Sequence, residues 1–422
     1  MWALSLVPAT LLLAGTPIFA LLLATALVVV TLTMNVPLLV VHQVLFGSLD
    51  KFSLLAVPFF IFAGELMARG SMSQRIIEWV LALLGGQRGA MPLTVVGGST
   101  VFGALSGSGP ATVAAIGRLM YPNLIQRGYS SSFSSGLLAA AGGIAVIIPP
   151  SISMILYCVS AEQSVSDLFL AGVLPGLMIS LLLALYIVFY ARRVGVQDSE
   201  RFSVPRLVAA SRRGFWALMA PAIILGGIYS GVFSPTEAAG IACVYVLFVT
   251  LAIYQDLTLR QVWTIATDTA VLTGQIMIIV AAAGLVSWLI TVQGIPQQIV
   301  AMIQAMDASP WMFLLIVNLL LLIVGCIIDP ISAILVLTPL LAPIAQSLGI
   351  DLIQFGLVMT VNLSIGMFTP PFGLNLFVAQ ATLGVAAKDV YRGIIPFIGI
   401  YLIGLALVTY VPDISLFLLS FN

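Results

Sequence analysis

Four short interruptions carry the residue types best able to bind ions within an otherwise apolar chain. They are Ser106-Gly107-Ser108-Gly109-Pro110, Asp329-Pro330, and the double prolines Pro149-Pro150 and Pro370-Pro371. Proline removes a backbone donor and clashes with the preceding turn, so two in a row break a helix outright. A broken helix exposes two chemistries. Its first half ends in free carbonyl oxygens, which suit a small hard cation such as sodium. Its second half begins with free N–H groups at the positive end of the dipole, which suit an anion. Inside a bilayer, such unpaired peptide groups are costly unless protein, water or ligand satisfies them. Four matched breaks therefore call for an occupant.

The breaks obey one offset. A shift of 221 residues takes Ser108 to Asp329, Pro122 to Pro343, Gly128 to Gly349 and Pro149-Pro150 to Pro370-Pro371. The same shift takes Gly172 to Gly393 and Pro175 to Pro396, without a gap. Helix breakers force backbone geometry and are hard to match by accident. The chain holds an internal duplication covering roughly 103–176 and 324–397, of the kind found in transporters built from repeats.

The elements that position these breaks follow from hydropathy. Of the 422 residues 61% are hydrophobic and only 7% charged, too little polar surface for a soluble chain, so lipid must be the outer solvent. Apolar runs fall near 3–14, 17–46, 53–69, 92–122, 133–160, 168–190, 215–231, 235–254, 266–292, 310–347, 352–384 and 391–420. The fold expected is an all-α polytopic membrane protein, with about 11 transmembrane helices and two re-entrant hairpins at 92–122 and 310–347. Broken helices at 133–160 and 352–384 follow the hairpins. The organisation expected is an N-terminal scaffold over 1–90, a first repeat over 91–190, and a cytoplasmic linker with further scaffold over 191–309. The second repeat and a C-terminal helix then occupy 310–422. The apolar start, without a basic region or cleavage site, reads as a retained span.

Charge orients the copies. Arg75, Arg88 and Arg127 flank the base of the first hairpin, and Arg192, Arg193, Arg201, Arg206, Arg212 and Arg213 fill the linker, which marks that side as cytoplasmic. The second hairpin lies in a stretch from Gln261 to Ala387 with no lysine or arginine, flanked by Asp307 and Asp351. It enters from the outside, so the repeats are inverted.

The candidate sodium ligands in the first repeat are Gly103, Ser106 and the carbonyls from Ala145 to Ile148. In the second they are Gly325, Asp329, Gly366 and Thr369. Substrate is expected between them, near the midplane, facing Ser108, Gly109, Thr112, Asn362 and Asn375. No arginine stands within a span so as to pair obviously with a carboxylate, so helix starts and amides must serve. Plainer readings stand beside these. Asp329-Pro330 is also an ordinary helix start, with aspartate as cap and proline in the first turn, and Thr369 shares that ambiguity. Ser234-Pro235-Thr236-Glu237 is a capping box, and Glu65 four residues before Arg69 is a local helix pair. His42 reads as interfacial.

Several classes are excluded or disfavoured. Zero net charge suggests no nucleic-acid partner. Cys158, Cys243, Cys326 and the single His42 are too scattered for a metal cluster or disulfide framework. An intramembrane serine protease needs a base near Ser106 or Ser108, and an aspartyl type needs a partner for Asp329. A nucleotide-driven pump needs a phosphate-binding loop that is absent here. A non-enzymatic, ion-coupled carrier remains.

The runs FGALSGSGPATVAAIGRLMYP, AAGGIAVIIPPSIS, FLAGVLPGL, GVFSPTEAAG and MFTPPFGLNLFVAQ resemble the large membrane subunit of tripartite ATP-independent periplasmic (TRAP) transporters, as does PFFIFAGELMARG. The likeness runs over nearly the whole chain. It implies a scaffold plus an elevator-type mobile domain holding both hairpins, sodium coupling, and a place in the bacterial inner membrane. It also implies a separate small four-helix membrane subunit and a periplasmic binding protein that delivers a small carboxylate. A stand-alone sodium–dicarboxylate symporter would show the same inverted hairpins.

Overall fold

The computed structural model describes residues 7–8, 10–11, 14–34, 36–195, 202–305 and 309–421. Most of the expected span 3–14, and the residues Arg201 and Asp307, lie outside them. Among the described residues the chain is helical with no strand. The helices are α1 (Ile18–Thr33), α2 (Leu38–Leu49), α3 (Ala56–Arg69), α4 (Met72–Leu84), α5 (Ala90–Ser106), α6 (Gly109–Gln126), α7 (Ser131–Ile147) and α8 (Ile152–Ala161). Then come α9 (Val165–Val194), α10 (Val204–Tyr229), α11 (Pro235–Phe248), α12 (Leu259–Val292), α13 (Ile295–Ala305), α14 (Pro310–Gly325) and α15 (Pro330–Ser347). The last are α16 (Leu352–Gly366), α17 (Leu374–Leu383), α18 (Ala387–Tyr410) and the short α19 (Pro412–Leu416).

The duplication is written into the helix ends. Ser108 caps α6 and Asp329 caps α15. The two helices end at Gln126 and Ser347, and α7 and α16 begin at Ser131 and Leu352, each at the same offset. Gly128 and Gly349 both take positive φ, at 90° and 74°, in the turns between. α5–α6 and α14–α15 are the two hairpins, and α7–α8 and α16–α17 the two broken helices. Both double prolines hold a cis peptide bond.

The repeats run in opposite senses. The hydroxyl of Tyr157, near the end of α8, donates to the carbonyl of Leu352 at the start of α16 over 2.6 Å. At the other end, Ser132 at the start of α7 donates to the carbonyl of Asp389, just past α17, over 2.8 Å. Each exit half-helix thus finishes where the other repeat's entry half-helix begins. α8 packs against α15 and α17 against α6, so each half-helix also braces the other repeat's hairpin. Residues Phe133 to Ile147 of α7 and Ile353 to Gly366 of α16 are buried all round, as befits helices at the centre of an assembly. Around this pair, α3, α4, α10, α11 and α12 pack on one another as a second body, touching the hairpins through α3, α4, α10 and α12.

Among the described residues seven helices are long and apolar enough to cross a membrane, or eight if α7–α8, bent by 42°, counts as one span. The remaining crossings expected from hydropathy are assembled from shorter apolar pieces. The expected span 17–46 is in fact two helices, since Pro37 stands at the start of α2 and disfavours helix before it. Sequence reading missed α4 and α13, which lie between the expected spans. The arginine-rich linker is helical at both ends, since α9 runs to Val194 and α10 begins at Val204. The reason lies in α4: Trp79 donates to Ser211 over 3.1 Å and Arg75 to the Arg213 carbonyl over 3.2 Å, which holds the linker's far end as helix.

Candidate functional site

At the first hairpin's tip, α5 ends at Ser106 and Gly107 turns the chain with φ +54°, a conformation that favours glycine. Ser108 then caps α6, its Oγ accepting from the Ala111 N–H at 3.4 Å. The Thr112 hydroxyl donates to the Ser108 carbonyl at 2.9 Å, so the 3.1 Å contact between Ser106 and Thr112 has serine as donor. The Ser106 Oγ also accepts from the Ser108 N–H at 3.4 Å. Three hydroxyls therefore lock the tip upon itself, and Ser106 and Thr112 are buried.

The tip rests on the break in the first broken helix. A Cβ at Gly103 would lie 2.6 Å from the Ala145 Cα, and one at Gly107 would lie 2.9 Å from the Pro150 carbonyl oxygen. The expected cation ligands Gly103, Ser106 and Ala145 are thus brought together, with Ile148 in extended conformation at the end of α7. Ser151 stands just past the prolines as the cap residue of α8, yet its side chain makes no cap bond. Its hydroxyl is fully buried and unpartnered. Sequence reasoning passed over this residue; a serine directly after a double proline was the signal available.

In the second repeat, the end of α14 meets the end of α16 through Gly325 and Gly366, which touch backbone to backbone. The Phe372 N–H donates to the Cys326 carbonyl at 3.2 Å, tying the two breaks together. Thr369 is half-buried, and its hydroxyl donates to the Ile365 carbonyl at 2.7 Å. Asp329 caps α15. Its carboxylate accepts from the Ser332 N–H at 3.0 Å and the Ser332 hydroxyl at 2.6 Å, a helix cap.

The two repeats meet at Gly109. A Cβ there would lie 3.0 Å from the Gly142 carbonyl oxygen and from the Met367 Cε, and 3.1 Å from the Asn375 Oδ1. Asn375 donates its Nδ2 to the Ala139 carbonyl at 3.1 Å, while its Oδ1, buried, has no partner. Gly109, beside the tip residues Ser108 and Thr112, and Asn375 therefore gather at one place, joined by Gly142 and Met367, which sequence reasoning did not single out. Asn362 is set apart from them. Its Nδ2 donates to the Asn318 carbonyl at 3.0 Å and to the Asn318 Oδ1 at 2.8 Å, its Oδ1 is buried without a partner, and Asn318 donates to Thr409 at 3.0 Å. Gln354 joins by donating to the Thr409 carbonyl at 3.0 Å. This buried network ties α16 to α14 and α18.

Ser234 and Glu237 form a capping box. Glu65 pairs with Arg69 at 3.1 Å, and Arg69 also reaches Asp268 at 2.8 Å. Among the described residues no three His, Cys, Asp or Glu side chains converge as a metal site. Carbonyls and hydroxyls at the breaks are the cation-type donors on offer, and they suit a hard monovalent ion better than a transition metal. A cavity of about 560 Å³ opens beneath the tip, between α3–α4 and α6. Arg118 of α6 lines it; its place on a helix face, hidden from a linear reading, brings it there.

Comparisons with known proteins agree with this architecture. The family model described as "Tripartite ATP-independent periplasmic transporter, DctM component" matches residues 6–414. The chain is 42% identical over 372 residues to a C4-dicarboxylate TRAP transporter large permease protein of Pseudomonas aeruginosa, covering 88% of this chain and 87% of that one. It is 37% identical over 410 residues to an isethionate TRAP transporter permease protein of Oleidesulfovibrio alaskensis, covering 97% of this chain and 65% of the relative. The solved YdaH transporter of Alcanivorax borkumensis shares the fold, with a TM-score of 0.61 at 15% identity over 96% of this chain and 97% of that one. With a family match over nearly its whole length, the chain belongs to the TRAP transporter family as a DctM-type large permease component, a multi-pass protein of the inner membrane.

Proposed function

We propose that this chain is the sodium-coupled permease of a carrier for a small organic anion, a transport rather than an enzymatic role. A periplasmic binding protein delivers the anion, and a separate small four-helix membrane subunit completes the complex. The observation that carries the reading is the meeting of the two inverted breaks at Gly109, Gly142 and Asn375, with the Asn375 Oδ1 and Ser151 hydroxyl buried and unpartnered nearby. Buried polar atoms without protein partners are costly and point to an occupant. C4-dicarboxylate and isethionate, for which two relatives are named, are small organic anions, as is the 2,3-diketo-L-gulonate of a third, while two others are named for the zwitterion ectoine.

In this mechanism, carbonyls around Gly103, Ala145 and Ile148 hold one sodium ion, and those around Gly325, Gly366 and Thr369 another. The start of α6, with Ser108, Gly109 and Thr112, and the amide of Asn375 face the anion. Binding of cation and anion is mutually supportive, because each offsets the other's charge in a low-dielectric site. The two hairpins and two broken helices then move together past the body formed by α3, α4, α10, α11 and α12. Any net charge carried inward gains about 2.3 kcal/mol per 100 mV of membrane potential.

The test is uptake by the reconstituted two-subunit complex, scored against a panel of carboxylates supplied with the cognate binding protein. Uptake should require an inward sodium gradient and the binding protein. Uptake by this chain alone, without either partner, would replace the reading with a stand-alone sodium–dicarboxylate symporter. Uptake indifferent to sodium would remove the coupling ion from it.

A further inference from the structure

We propose that the cavity beneath the first hairpin is the cytoplasmic release route of the transported anion, and that Arg118 is the station where its carboxylate group pauses on the way out. The inference rests on the anion-carrier reading above and assigns it a second site, away from the breaks. The cavity is walled on one side by Glu65, Arg69 and Gln74, and on the other by a single face of α6. That face comprises Ala111, Ala114, Ala115, Arg118 and Leu119, at the spacing of one helical stripe. It begins at Ala111, whose N–H bonds the Ser108 cap, one residue before Thr112. Arg118 lies seven residues further on, roughly 10 Å along the axis at 1.5 Å per residue.

The wall between tip and Arg118 is alanine, which leaves room and offers no competing polar group. Its far end points to the cytoplasm, because α6 runs on to Gln126 and Arg127 at the hairpin's arginine-flanked base. Charge selects Arg118 over its neighbour. Arg69 is held by Glu65 at 3.1 Å and Asp268 at 2.8 Å, so its charge is already answered. Among the described residues, no carboxylate lies within ion-pairing distance of Arg118. The Arg118 guanidinium is exposed on the cavity side of α6, two turns above the hairpin's base, where water or a mobile anion can meet it. A carboxylate leaving the tip meets this charge first.

The experiment uses the two-subunit complex in inside-out vesicles, with the three native cysteines replaced by alanine and Ala114→Cys placed in the cavity wall. Modification rates are compared for an anionic probe, sulfonatoethyl methanethiosulfonate, and a cationic one, trimethylammonioethyl methanethiosulfonate. The anionic-to-cationic rate ratio should fall roughly fivefold when Arg118→Gln is added, the effect expected of one nearby charge in a hydrated cavity. It should be retained in Arg118→Lys. Millimolar succinate should slow modification in the arginine protein and not in Arg118→Gln. In parallel, efflux of succinate preloaded together with the cognate binding protein and sodium should slow in Arg118→Gln and recover in Arg118→Lys, with the sodium dependence unchanged. A rate ratio indifferent to Arg118→Gln overturns the proposal, whatever the transport arm shows. Failure of the arginine complex to take up any carboxylate with sodium overturns the carrier reading instead, and the labelling arm still judges the cavity.

Discussion

Asn375 donates its side-chain N–H to the backbone carbonyl of Ala139 across 236 residues of sequence, at 3.1 Å. One partner opens the second repeat's exit half-helix; the other sits in the middle of the first repeat's buried entry helix. The bond holds the amide so that its oxygen, which has no protein partner, stays beside Gly109, with its nitrogen beside Gly142. A structural duty and the ligand-facing duty proposed above are thereby fused in one side chain.

Replacing Asn375 with alanine removes both duties and should lower uptake on the order of tenfold, equivalent to about 1.4 kcal/mol of barrier. Asn375→Asp keeps an acceptor but loses the donor to Ala139, and should be no better. Initial uptake rates in proteoliposomes decide it. A rate above half that of the parent protein for Asn375→Ala would remove this residue from the site.

Asp329 separates two readings that its sequence context left open. As a cap, it is replaceable by asparagine, which caps about equally well, whereas alanine costs about 0.5–2 kcal/mol. Asp329→Asn should therefore transport with the sodium dependence of the parent, and Asp329→Ala should lower thermal stability. Were Asp329→Asn instead to raise the sodium concentration for half-maximal uptake several-fold, the carboxylate would be a cation ligand and the cap incidental.

Much of this architecture was legible because proline and glycine act on the backbone directly. Pro149-Pro150, Pro370-Pro371, Gly128 and Gly349 impose breaks and turns whatever surrounds them, so their common offset revealed the repeat and the helix ends honour it. Side-chain destinations were less legible. Asn362 and Asn375 both read as amides near a break, but which face of a helix looks inward depends on how the helix is rotated against its neighbours. That rotation sends Asn362 to Asn318 and Asn375 to Gly109. For the same reason Arg118 was hidden: only the packing of α6 against α3 and α4 makes its stripe a cavity wall. The second break is longer than its prolines imply, running from Met367 to Gly373, because the Asn375 N–H reaches back to the Met367 carbonyl at 2.8 Å and closes a wider loop.

Asn362 is accordingly predicted to be a stability residue. Its donors are spent on Asn318 within a buried network, and removing one partner of such a bond costs about 1–3 kcal/mol. Asn362→Ala should lower the melting temperature of the purified complex while the surviving protein keeps its half-saturation values for sodium and substrate. A selective change in either half-saturation value, with stability intact, would return Asn362 to the binding site.

Ser151 gives the sharpest contrast, since nothing in the protein depends on its hydroxyl. A buried hydroxyl without a partner costs about 1–3 kcal/mol, so Ser151→Ala should leave the melting temperature unchanged or raise it. The backbone is undisturbed, because the cap of α8 makes no side-chain bond to lose. Any transport defect then reports on a ligand. The hydroxyl lies at the break on which the Gly107 tip rests, where the start of α8 leaves N–H groups uncapped. We expect half-maximal uptake to need a markedly higher concentration of sodium or of substrate, and the one that shifts identifies the occupant at this break. Thermal unfolding and uptake titrations on the same preparation separate the outcomes: a variant as stable and as avid as its parent would mean that this hydroxyl serves no ligand, and the first break would lose its most direct claim to one.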